Sequence, residues 1–135
     1  MKKILVVLMA LVMVFSMAAC GGSETVADNS MIEVEFEIDY PDGSGMEDVN
    51  ATIATVAGTS ALEMLMSYAE DEGFEVVLDE NSPTIYITSI NGVEQTNDAG
   101  WVYKINDEIT MEEASEIILT DGMVVTWEYM SWSDF

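Results

Sequence analysis

The 135-residue chain holds 26 Asp and Glu against three Lys, with no His and no Arg, for a formal net charge of −23. Such a balance repels nucleic acid and anionic lipid headgroups. It also removes the commonest neutral-pH base, the commonest transition-metal ligand and the usual phosphate clamp. Half of the residues are hydrophobic, so the chain is not a disordered acidic tail.

Met1-Lys2-Lys3 is a short basic start, and Ile4 to Phe15 is continuously apolar but too short to span a bilayer comfortably. Small residues then lead to Cys20, the one cysteine of the chain. Residues 1–19 are therefore predicted to be a lipoprotein signal peptide. Cys20 would carry the lipid and residues 20–30, opening with Gly21-Gly22-Ser23, would form a flexible linker. The competing reading is an ordinary cleaved signal with a chance cysteine. Removal of Lys2 and Lys3 leaves Lys104 as the one cation, and lipidation of Cys20 leaves no thiol for a disulfide. Residues 31–135 then suit one domain held together by packing.

Met31 to Tyr40 alternates Ile32, Val34, Phe36, Ile38 and Tyr40 with Glu33, Glu35, Glu37 and Asp39. That is a strand with one core face and one acidic face. Pro41 to Gly45 breaks it, and Val49 to Val56 is expected to return as a second strand. Asp39, Asp42, Ser44, Glu47 and Asp48 lie in that turn and offer oxygens to a hard cation. Their spacing is not that of an EF-hand, and a solvated acidic turn is the competing reading.

Ser60 with Glu63 fits a capping box, with Thr59 as the other candidate cap. Leu62, Leu65, Met66 and Ala69 make an apolar stripe at helical spacing, and Gly73 fits the stop. Phe74 to Leu78 and Thr84 to Ile90 read as strands, and Asn91-Gly92 as a hairpin turn. Trp101, Tyr103 and Ile105 alternate in a strand that ends at the turn Asn106-Asp107. Met111 to Glu116 is expected to form a helical turn, and Met123 to Tyr129 the last strand. Hairpin, helix and further strands give an α+β fold, a β-grasp with a mixed sheet curled around one helix. The pattern alone leaves another α+β sandwich open.

Thr59 and Leu62–Leu65, Thr88–Val93, Gly100–Asn106 and Leu119–Tyr129 together resemble the C-terminal β-domain of vitamin B12 carriers such as transcobalamin and intrinsic factor. That domain also occurs alone in bacterial lipoproteins as a domain of unknown function (DUF4430). Asp107 stands where the family usually has Gly. The resemblance implies a β-grasp and a corrinoid such as cobalamin as bound ligand. In the carriers a helical domain holds the rest of the corrinoid. It has no counterpart among these residues, so binding is expected to be weak alone or shared with a partner chain.

No Gly-rich phosphate loop and no Gly-x-Ser-x-Gly elbow occurs, and no enzymatic activity or transition-metal site is expected. If their strands are neighbours, Trp101, Tyr103, Trp127 and Tyr129 form an aromatic ladder, either in the core or as flat walls for a ring-shaped ligand. Trp132 and Phe135 offer a contact surface or a strap over the sheet edge, and Asn91 and Asn106 offer amide hydrogen bonds. The expected function is ligand binding by a lipoprotein on the extracytoplasmic face of a bacterial membrane. The alternative is an interaction module of an envelope assembly that binds a partner envelope protein.

Overall fold

The computed structural model describes residues 29–135. The predicted signal peptide, Cys20 and most of the linker lie outside the described residues. The elements run β1 (Met31–Asp39), β2 (Val49–Val56), α1 (Ala61–Glu72), β3 (Val76–Asp79), β4 (Tyr86–Ile90), β5 (Val93–Glu94), β6 (Ala99–Ile105), β7 (Glu108–Ile109) and β8 (Val124–Ser131), then a 3-10 turn at Trp132–Asp134.

The alternation of β1 is realised as expected. Ile32, Val34, Phe36 and Ile38 are buried, while Glu33 and Glu35 are exposed. β1 pairs antiparallel with β2 and parallel with β8, placing Phe36 beside Val125 and Ile38 beside Trp127. The full order is β2-β1-β8-β6-β7, a mixed five-stranded sheet. β3, β4 and β5 form a separate three-stranded sheet and add Ile87 and Ile90 to the common core. One helix against a mixed sheet, among the described residues, is an α+β arrangement with β-grasp-like topology.

Helix α1 starts at a complete capping box. The Glu63 N–H donates to Ser60 Oγ at 3.2 Å, and the Ser60 N–H donates to Glu63 Oε2 at 2.8 Å. Gly73 ends it in the left-handed region with φ 79°. The buried face is Ala61, Met64, Leu65 and Ala69, which corrects the predicted stripe. Met66 is 39% exposed, and Leu62 only packs against the edge of the core. The helix is apolar on both sides of Leu65. The half-buried Tyr68 lies on the Met64 side, its ring 4.8 Å from that of Phe36 on the sheet.

The stretch from Met111 to Glu116 is not helical beyond one turn at Ala114–Glu116. Two of its carbonyls, Glu112 O and Ala114 O, accept hydrogen bonds from Tyr103 and from α1 instead of continuing a helix. Leu62 and Ala61, at the start of α1, donate their N–H groups to Ala114 O at 3.0 Å and Ile117 O at 2.9 Å. A helix N-terminus leaves its first N–H groups unpaired; Ala114 of this segment satisfies one of them and Ile117, just after it, another. Its extended course continues with the Ile118–Ser60 bridge and the buried Leu119.

Candidate functional site: an aromatic cleft with an apolar rim

β6 and β8 are antiparallel neighbours, with Trp101 opposite Tyr129 and Tyr103 opposite Trp127. The four rings form one ladder on the core face, with ring centroids 5.3 Å apart in the first pair and 5.0 Å in the second. Tyr40 extends it, edge-on to Trp101 at 5.7 Å. Trp101, Tyr103 and Trp127 are buried, the last to 2% exposure.

Most of the ladder's polar atoms tie neighbouring segments down. Trp101 Nε1 donates to Val93 O at 2.8 Å and Tyr129 Oη donates to Glu94 O at 3.0 Å, so both hold β5. Tyr103 Oη donates to Glu112 O and holds the loop after β7. Burial, with Glu112 and Glu113 nearby, pushes the Tyr103 phenol above its ordinary value, so it remains a donor at neutral pH. Trp127 differs. Its Nε1 is buried and, among the described residues, has no hydrogen-bond partner. A buried N–H without a partner is uncommon and costly.

Beside the ladder lies a cleft of about 190 Å³, whose walls include Trp101, Tyr103, Trp127, Leu78 and Ile87. Ile85, Tyr86, Ile109 and Met111 also line it, together with Thr84, Thr110, Glu112 and Glu113. Ile85, Tyr86, Ile109 and Met111 are 42%, 43%, 41% and 88% exposed, so they give the cleft an apolar rim, with Glu112 and Glu113 beside it. Gathered exposed apolar side chains mark a contact surface more than a solvated one.

Of the residues singled out from sequence, Trp101, Tyr103 and Trp127 meet in this cleft. Tyr129 belongs to the ladder but not to the cleft wall. Trp132 lies against Gly100, on the other face of β6. Asn91 and Asn106 occupy tight turns with φ of 51° and 49°. The Asn106 side chain accepts the Val124 N–H at 2.9 Å, and the Asn91 amide reaches Tyr40 Oη at 3.4 Å. The rim was missed. Its one sequence signal was Ile109 and Met111 alternating between Glu108 and Glu112.

Among the described residues no group of three acidic or other ligating side chains is placed to hold a metal ion. In the acidic turn, Asp48 Oδ1 accepts the Tyr40 N–H at 2.9 Å and Ser44 Oγ accepts the Met46 N–H at 3.2 Å. Those oxygens brace the loop itself.

Residues 58–131 match the family described as Domain of unknown function (DUF4430). The chain belongs to this family. Among solved structures, the DUF4430 chain is similar to haptocorrin in complex with Cbi, with TM-score 0.67 and 18% identity. The match covers 77% of this chain and 26% of haptocorrin, so the chain spans about a quarter of that protein's length. It is also similar to a proposed metal-binding protein of Ruminococcus gnavus ATCC 29149, with TM-score 0.52 and 12% identity over 74% of this chain and 97% of that one. At these identities the likeness is one of fold. No match is found among curated proteins.

Proposed function

We propose that this DUF4430 chain is a non-catalytic ligand-binding lipoprotein domain and that a corrinoid is its ligand. The observation that carries the reading is the cleft with its exposed apolar rim and the unpartnered Trp127 Nε1 at its wall. The shared fold with part of haptocorrin, solved in complex with Cbi, supports the choice of ligand class. The β-grasp form of the fold, its sheet curled around α1, belongs to the same reading.

Size decides how the ligand sits. A cleft of about 190 Å³ is below the usual range of about 300–1,000 Å³ for small-molecule pockets. The corrin ring therefore lies across the rim, against Ile85, Tyr86, Ile109 and Met111. One amide side group enters, and its carbonyl accepts the Trp127 N–H. Tyr129, Trp132, Asn91 and Asn106 serve the surrounding structure more than the contact. The chain has no His, so it supplies no imidazole to cobalt. A lipid on Cys20 would hold the domain at the extracytoplasmic face of the membrane.

Equilibrium dialysis against cyanocobalamin, read by visible absorbance, tests the ligand. Retention by the full chain and loss of retention in Met111→Asp support it. No retention by the unsubstituted chain removes the corrinoid. The apolar rim then favours the second reading, a contact for a partner envelope protein. For the anchor, Cys20→Ser should stop processing and membrane retention. Unchanged processing and retention would show that the anchor is misassigned.

A further inference from the structure

β2 is an edge strand of the five-stranded sheet, paired only with β1. The Ala57 N–H donates to Ser30 O at 2.9 Å. In an antiparallel ladder hydrogen-bonded and non-bonded positions alternate. Val49, Ala51, Ile53 and Thr55 therefore turn their backbone groups toward β1. Asn50, Thr52 and Ala54 turn theirs outward, and among the described residues these three have no other backbone partner. Edge strands are normally blunted by charge, proline or a bulge. Val-Asn-Ala-Thr-Ile-Ala-Thr-Val has none of these, in a chain with 26 acidic residues.

The surroundings of this edge differ on its two faces. On the helix side a groove of about 530 Å³ runs between β2 and α1, with Ile53, Thr55, Met64 and Tyr68 in its walls and Asp71 at its margin. On the outer face, β1 presents Glu33, Glu35 and Glu37 beside β2.

We infer that β2 accepts an extended segment of another polypeptide as a sixth strand, one that alternates apolar and basic residues. The outward N–H and C=O groups of Asn50, Thr52 and Ala54 supply the ladder. One row of the incoming side chains enters the groove over Ile53 and Met64. The other row shares the outer face with Glu33, Glu35 and Glu37, which lie two strand spacings away, about 10 Å. A lysine side chain and a glutamate side chain together bridge that span. A second copy of this chain fits less well, because it brings the same acidic surface back against itself. The site is separate from the aromatic cleft and does not depend on the corrinoid.

The test uses the full chain, labelled with 15N, and an acetylated peptide of four Lys-Val repeats. Binding should slow hydrogen exchange at the Asn50, Thr52 and Ala54 amides and shift resonances of Met64 and Tyr68. Thr52→Pro deletes one outward N–H, and Ala54→Lys opposes the peptide's charge; each should weaken binding by about tenfold or more, as expected for lost ladder bonds and repulsion. A Glu-Val peptide should not bind, and Met111→Asp should bind like the unsubstituted chain. The proposal is overturned if those amides gain no protection or if the Glu-Val peptide binds equally. It is also overturned if both variants bind as before, which marks non-specific charge attraction, or if the edge is already protected by self-association without peptide.

Discussion

A Cβ built on Gly100 would stand 2.5 Å from Cζ2 of Trp132. The indole ring packs on the bare Cα of Gly100, and the Trp132 N–H fixes the approach by donating to Asp98 O at 2.8 Å. Gly100→Ala is expected to lift the ring and to cost about 1–3 kcal/mol, as overpacking does. In a Trp132→Ala background the same change should cost less, since the nearest remaining atom is Gln95 Cβ, at 3.2 Å. Urea midpoints of the four proteins form the cycle. An equal cost in both backgrounds would mean that the contact does not hold the tail.

The rotation of α1 separates two neighbouring residues of similar character. Leu65 is fully buried, whereas Met66 is 39% exposed. Leu65→Ala should destabilise by about 2–5 kcal/mol, and Met66→Ala by no more than about 0.5 kcal/mol. Ser60→Ala, which breaks the capping box, should fall between them at about 0.5–2 kcal/mol. Thermal and urea unfolding read all three. A large loss at Met66 would return the helix to the stripe expected from sequence.

The β6–β7 turn carries strain that glycine would remove. Asn106 and Asp107 form the two-residue loop between Ile105 and Glu108, with φ of 49° and 68°. Both values fit a type I′ turn, in which Asn-Gly is the favoured pair. Asn106 is also bonded to Val124 through both backbone and side chain. Asp107→Gly should therefore raise stability by about 0.5–1 kcal/mol, the relief at positive φ exceeding the entropy cost of glycine. A fall in melting temperature would contradict this reading of the turn.

Asp39 gives a pH signature of definite sign. Burial raises its pKa first, then Asp48, Glu128 and Glu37 add to the rise, with Lys104 opposing. The folded chain thus holds this proton more tightly than the unfolded chain. Between the unfolded and folded values, stability falls as pH rises. Asp39→Asn should stabilise the domain at neutral pH and lose that advantage below about pH 3.9. Glu63 has the opposite sign, since hydrogen bonds from the Ser60 backbone and side chain lower its pKa. Its contribution is present above its unfolded value and is lost as acid takes the pH through the lowered one. Chemical unfolding across the acid range reads both. A constant Asp39→Asn gain at every pH would show that the effect is not titration.

The strands that face the core were legible because period-two alternation admits one buried face. The alternation in Met31 to Tyr40 became β1 almost residue for residue, and Trp101, Tyr103, Trp127 and Tyr129 did form one ladder. The capping box was equally readable, since its geometry is local. The segment from Met111 to Glu116 was not, because its course is set by unpaired N–H groups of α1 that lie far away in sequence. The strands Val76–Asp79 and Tyr86–Ile90 and the Asn91-Gly92 hairpin were legible, but not their grouping into a separate sheet, which only tertiary pairing decides. The cleft was half legible. Aromatic residues announce themselves, whereas the rim of Ile85, Tyr86, Ile109 and Met111 is assembled from segments that meet only in the fold.

The proposed corrinoid lies across the rim and reaches Trp127. The indole 15N–1H resonances of the full chain, titrated with cyanocobalamin, test it most directly, with Trp127→Phe supplying the assignment. Trp101 Nε1 is already bonded to Val93 O and serves as an internal reference. The Trp127 signal should move downfield and saturate at micromolar ligand while the Trp101 signal shifts much less. An unmoved Trp127 resonance, or a shift confined to Trp132, would contradict it.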